Sequence, residues 1–176
     1  MAEIERSVVV GVPVKVAYDQ WTQFESFPEF MQAVTGVRQL DDRTLEWTAR
    51  IAGREERWKA VITDQEPDRR VAWRSVEGAV NAGDVRFAPE GEDSTRVTLH
   101  LVYEPHGVTE TVASALGLTA GQVDGDLQRF KRFIEERGEA TGAWRGEIHQ
   151  PAPEGARNPN ADRSTWEGGA GPETRA

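Results

Sequence analysis

Cysteine is absent from this 176-residue chain, which excludes a disulfide framework, a thiolate zinc site, an iron–sulfur cluster and a cysteine nucleophile. No stretch approaches the roughly 18 apolar residues that a membrane-spanning helix needs. The opening MAEIERSVVV lacks the basic region and apolar run of a secretory leader, so the expected location is cytoplasmic. Basic charge is short as well: 21 Lys and Arg face 30 Asp and Glu, for a formal net charge of -9. That balance repels a phosphate backbone and argues against nucleic acid. Only three histidines occur, His100, His106 and His149, too scattered to converge on a metal. Neither a G-x-G-x-x-G phosphate loop nor a nucleophile elbow is present, so no cofactor is expected.

What the chain does carry is six Trp, and large aromatics need somewhere to be buried. A second contrast lies along the sequence. From Gly138 onward the composition turns to seven Gly and four Pro in 39 residues, with Trp144, Ile148 and Trp166 the only large apolar side chains. Such a segment offsets little of its ordering entropy by burial, so residues 138–176 are expected to be a disordered tail. Residues 1–137 are then the folded domain. Within the tail, Trp144 and Ile148 stand four apart and could dock on a partner protein or on the domain itself.

Residues 3–10 read as a Val-rich strand that Pro13 stops. Helical spacing follows in Val14, Ala17, Tyr18 and Trp21, and Ser26 with Pro28 opens a second short helix. The apolar period then changes from 3.6 to 2. Strands are expected over 34–40, 44–51, 55–63, 71–76, 80–88 and 95–103, joined by short turns, which describes an antiparallel meander. A short helix is expected at 108–117. Thr119 can cap the longest helix, where Val123, Leu127, Phe130 and Ile134 form one apolar stripe ended by Gly138.

The resulting class is α+β: a curved seven-stranded antiparallel sheet wrapped on a long C-terminal helix, with two short helices after the first strand. The helix is the only cover available for the apolar face of the sheet. Neither surface fills the concavity between them, so a cavity is expected there, the usual form of a small-molecule site. Its expected wall comprises Phe27, Phe30, Met31, Trp47, Trp58, Trp73, Phe87, Leu99, Leu101 and Tyr103, with Leu127, Phe130 and Ile134 from the helix.

Four segments carry a resemblance: SVVVGVPVKVAYDQWTQFESFPEFM, VAWRSVEG, GDVRFAPEGEDSTRVTLHLVYEP and DLQRFKRFIEER. Together they span nearly all of residues 3–137. They resemble the polyketide cyclase/dehydrase branch of the START-like (SRPBCC, helix-grip) superfamily. The resemblance implies a helix-grip fold around a ligand-holding cavity; it names no reaction, because that superfamily includes cyclases, lipid and quinone carriers, and hormone receptors. Related cyclases are thought to enolise a carbonyl and hold an oxyanion with Arg, Tyr, Ser and acidic groups. On the inward face Glu56, Ser75 and Tyr103, with Asn81 beside them, are the residues that could act so, Glu56 as a base if burial raises its pKa. Alternatively, Ser75 and Tyr103 each satisfy a backbone group. The basic run Arg54, Arg57, Lys59, Arg69, Arg70 and Arg74 is interleaved with acids and reads as a solvated sheet face.

Three functions remain. The first is binding of a hydrophobic or aromatic small molecule without chemistry. The second is a polyketide aromatase/cyclase or dehydratase, and the third an accessory protein recruited through its tail. The first ranks highest.

Overall fold

The alternating segments become one antiparallel sheet because each strand can bury one row of side chains and leave the other wet. The computed structural model describes residues 2–51, 53–78, 81–103 and 120–149. The expected helix at 108–117 and the Thr119 cap lie outside the described residues. The strands are β1 (Ala2–Val10), β2 (Val34–Gln39), β3 (Thr44–Ile51), β4 (Arg54–Glu66), β5 (Arg70–Glu77), β6 (Asn81–Gly91), β7 (Ser94–Tyr103) and β8 (Ile148–His149). The sheet runs β1-β7-β6-β5-β4-β3-β2, with β8 added on β4. Helix α1 (Val14–Trp21) and a 3₁₀ helix (Phe24–Glu29) follow β1, and helix α2 (Ala120–Arg137) packs in the curl of the sheet.

Helix α2 buries Val123, Leu127, Phe130 and Ile134, the stripe its sequence spacing sets. Polar contacts fasten it to the end of β1. Lys131 Nζ donates to the Val9 carbonyl at 2.8 Å, and the Gly11 N–H donates to Glu135 Oε1 at 2.8 Å. Gly138 takes φ +69° after the last turn, and its N–H reaches the Ile134 carbonyl at 2.8 Å. A left-handed residue closing a helix in this way favours glycine.

The expected disordered tail starts too early. Residues 138–149 lie against the domain, and β8 makes the strand count eight rather than seven. The reason is a length mismatch inside the sheet. Strand β3 begins at Thr44, opposite Val61, whereas β4 continues to Glu66. The last residues of β4 therefore present an open edge on that side, and β8 fills it by pairing Ile148 with Gln65 and His149 with Asp64. Ile148 is buried in the main core and Trp144 packs partly against it. Of the two expected docking sites for these side chains, a partner protein or the domain itself, the described structure shows the second. Residues 150–176 lie outside the described residues.

The outer face of the sheet carries a charged ladder. Arg57 pairs with Glu55, Lys59 with Glu77 and Arg69 with Glu66, so much of the basic run is internally compensated. His100, on this wet face, is held between two carboxylates. Its Nδ1 lies 3.1 Å from Asp84 Oδ1 and its Nε2 contacts Glu3. Arg70 and Arg86 in turn bind Asp84 at 3.4 and 3.1 Å. The hydrogen bond to Glu3 is the main cause that raises the His100 pKa; desolvation opposes it and Asp84 adds to it. A raised folded-state pKa stabilises the fold fully below the ordinary value of about 6.5, and the gain is lost as pH rises through the folded value. His100→Gln should therefore flatten the fall in urea midpoint above about pH 6.5. Parallel wild-type and variant curves would remove His100 as its source.

Candidate ligand cavity

The cavity arises from the rows that the strand register aligns. Ile62 faces Trp73, Trp73 faces Gly83, and Gly83 faces Leu101 across four neighbouring strands. Glycine in that row leaves room for an indole: a Cβ on Gly83 would stand 2.7 Å from Trp73 Cζ2. Trp47 faces Trp58 on the adjoining pair, and their rings stack at 5.8 Å with planes 6° apart. Trp21 of α1 and Phe24 and Phe27 of the 3₁₀ helix close one side, and Val123 and Asp126 of α2 close another.

The cavity is partly open to solvent, with a volume of about 100 Å³. An apolar cavity of roughly 150 Å³ takes a benzene, and drug-sized pockets run to several hundred. The three indoles from the sheet narrow the space to about the section of one ring or one acyl chain.

Of the residues expected on the wall, Phe27, Met31, Trp47, Trp58, Trp73, Leu99 and Leu101 line it. Phe30, Phe87, Leu127, Phe130 and Ile134 are buried but absent from it. Phe30 and Phe130 pack on each other at 5.1 Å and on Trp21 at 5.8 and 5.2 Å, which makes them solid core. Phe87 meets Tyr18 edge to face at 5.4 Å, beneath α1. The Tyr103 side chain lies outside the described residues.

The expected acid-base residues fare differently. Glu56 pairs opposite buried Ala49, so its alternation is inward, but it sits near the end of the β3–β4 hairpin and is exposed. It therefore lacks the burial that a poised base requires. Ser75 Oγ accepts the backbone N–H of Asn81 at 3.0 Å, the backbone-satisfying role. Asn81 itself lines the cavity.

The ionisable group on the wall, among the described residues, is Asp126. Its Oδ1 accepts the Gln32 N–H at 3.2 Å and pairs with Arg129. Arg129 Nε also donates to the Phe30 carbonyl at 3.0 Å. Burial pushes the Asp126 carboxyl up, with Arg129 and the Gln32 N–H pulling against it. A signal for it was present in the sequence, since Asp126 stands three residues after Val123 and four before Phe130. That puts a carboxylate on the flank of an apolar stripe. Two further polar atoms belong to wall residues: the indole N–H groups of Trp21 and Trp47 are buried with no hydrogen-bond partner. No group of three His, Cys, Asp or Glu able to hold a metal occurs among the described residues. Nor is any described helix long and apolar enough to cross a membrane.

Comparisons with known proteins agree with this architecture. A family model described as polyketide cyclase/dehydrase and lipid transport matches residues 10–132. A 17.2 kDa protein of the melC2–rnhH intergenic region of Streptomyces lincolnensis is 48% identical over 149 residues, 84% of this chain and 99% of the relative. Among solved structures, a Deinococcus radiodurans protein is 30% identical, with a TM-score of 0.62 over 77% of this chain and 99% of its own. The Zhui aromatase/cyclase from Streptomyces sp. R1128 is 19% identical, with a TM-score of 0.65 over 81% and 99%. A START superfamily protein from Mycobacterium smegmatis is 15% identical, with a TM-score of 0.61 over 74% and 98%. The last two establish likeness of fold.

Proposed function

The chain belongs to the polyketide cyclase/dehydrase and lipid transport family, and from that membership we propose that it binds a hydrophobic or aromatic small molecule between sheet and helix. The observation that carries this reading is the wall itself: an aromatic and aliphatic enclosure with Asp126 and Asn81 as its polar points. A core built for stability alone would close on such a space, because voids forfeit contacts at every lining atom. The two unpartnered indole N–H groups favour a ligand that carries an oxygen acceptor, since leaving a buried donor unpaired costs about 1–3 kcal/mol.

Asp126 favours a second reading, an aromatase/cyclase or dehydratase. A carboxyl with a raised pKa can donate a proton to a carbonyl oxygen or accept one from the adjacent carbon. Both readings share one test. Tryptophan fluorescence should change saturably with phenol, a single flat ring with one oxygen, and native mass spectrometry of the purified protein should show a retained small molecule. Absence of both would sink the binding reading. Asp126→Asn separates the two: binding retained and turnover of a β-ketoester probe abolished would mark an enzyme.

A further inference from the structure

We infer that the C-terminal strap, residues 139–149, positions the α1 side of the cavity wall, with Arg145 as its principal grip. The last turn of α1 and the residues after it alternate between two tasks. Trp21 and Phe24 line the cavity. The polar residues between and before them are held by the strap. Gln20 exchanges two hydrogen bonds with Thr141, its Oε1 accepting the Thr141 N–H at 2.9 Å and its Nε2 donating to Thr141 Oγ1 at 3.1 Å. Thr22 Oγ1 accepts the Trp144 N–H at 3.1 Å. Asp19 receives Arg145 Nη1 at 2.6 Å.

Arg145 also reaches the β4–β5 turn, where its Nη2 lies 2.7 Å from Asp68 Oδ2, and its guanidinium covers the Tyr18 ring at 5.5 Å. One planar cation thus ties α1 to the sheet, a geometry that suits Arg and not Lys. Asp19, Gln20 and Thr22 are buried, while Thr141 and Arg145 are exposed, so the strap covers the polar groups of α1 from the solvent side. With Ile148 seated in the core and β8 paired to β4, the strap is anchored at its far end. A displacement of α1 at Asp19, Gln20 or Thr22 carries Trp21 with it, and Trp21 moves the cavity wall.

The inference rests on the cavity as the ligand site, so its test reads the wall with and without a ligand. Arg145→Ala releases α1 and the turn together. Asp68→Asn releases the turn alone, and Asn tolerates the φ of +62° found at Asp68. Protein labelled with 5-fluorotryptophan gives a fluorine resonance for Trp21, assigned by its loss in Trp21→Phe. Arg145→Ala should shift that resonance and weaken phenol binding about tenfold. Asp68→Asn should leave the resonance in place and the affinity within about twofold. Equal shifts and equal affinity losses in both variants, tracking their thermal midpoints, would reduce the strap to general stabilisation and overturn the inference. So would an unmoved Trp21 resonance in Arg145→Ala. Wild-type protein that binds no phenol overturns the cavity reading instead, and the fluorine shift alone then decides whether the strap sets the wall.

Discussion

Phe130→Ala is expected to lower the unfolding free energy by about 3–5 kcal/mol, the range for emptying a buried aromatic site. The full cost applies because the site cannot collapse. Phe130 is 0% exposed, and its ring is held edge-on by Phe30 at 5.1 Å and at a tilt by Trp21 at 5.2 Å. Next to it on α2, Lys131 and, about one turn later, Glu135 fix the helix to Val9 and Gly11. The helix therefore cannot slide toward the sheet to close the gap, and the void term adds to the lost transfer energy. Against a typical stability of about 5–15 kcal/mol this is a large fraction. Urea denaturation checks it: a loss under about 1 kcal/mol would mean that α2 relaxes freely and is not the fixed wall described above. A second consequence is specific to this packing. The space vacated by Phe130 adjoins Trp21, so a folded variant should admit a bulkier probe than wild type.

Much of this architecture was legible because period and turn chemistry act locally. Alternation in 44–51 and 95–103 sets which side chains face inward, and the register then brings Trp47 to Trp58 and Val85 to Leu99. Alternation says nothing, however, about how far along a strand the cover extends. Glu56 has the inward phase and still meets solvent near the end of its hairpin. The division between solid core and open wall was equally hidden. Phe30 and Phe27 sit three residues apart in one short segment, yet one packs against Phe130 and the other lines the cavity. That outcome depends on how rings from three elements interlock, which no single-segment pattern records.

The tail was misjudged for a different reason. A composition averaged over 39 residues conceals a stretch of twelve, 138–149, in which Thr141, Trp144, Arg145 and Ile148 have specific partners. Their signals were individual: Thr141, Arg145 and Ile148 complement Gln20, Asp19 and the open edge of β4. Buried polar residues on a short amphipathic helix, here Asp19, Gln20 and Thr22, were the sequence clue that something must cover α1. Asp126 gave a parallel clue on α2. In both helices a polar residue on the apolar side marks a tertiary contact.

Filling the cavity should separate stability from binding, and Val123→Phe is the substitution that does so. Val123 is 1% exposed and reaches the cavity from α2, so a larger side chain there can extend into existing space. Inserting bulk into a packed core costs about 1–3 kcal/mol. Inserting it into a void returns contacts that the lining atoms lack, so the two effects oppose and the thermal midpoint should stay near wild type. Binding has no such compensation. A phenyl ring occupies most of a space of about 100 Å³, and phenol affinity should fall about a hundredfold or more. A variant that is strongly destabilised and still binds would place the ligand elsewhere. One that keeps its midpoint and loses the probe assigns binding to the space between the indoles of the sheet and the α2 helix.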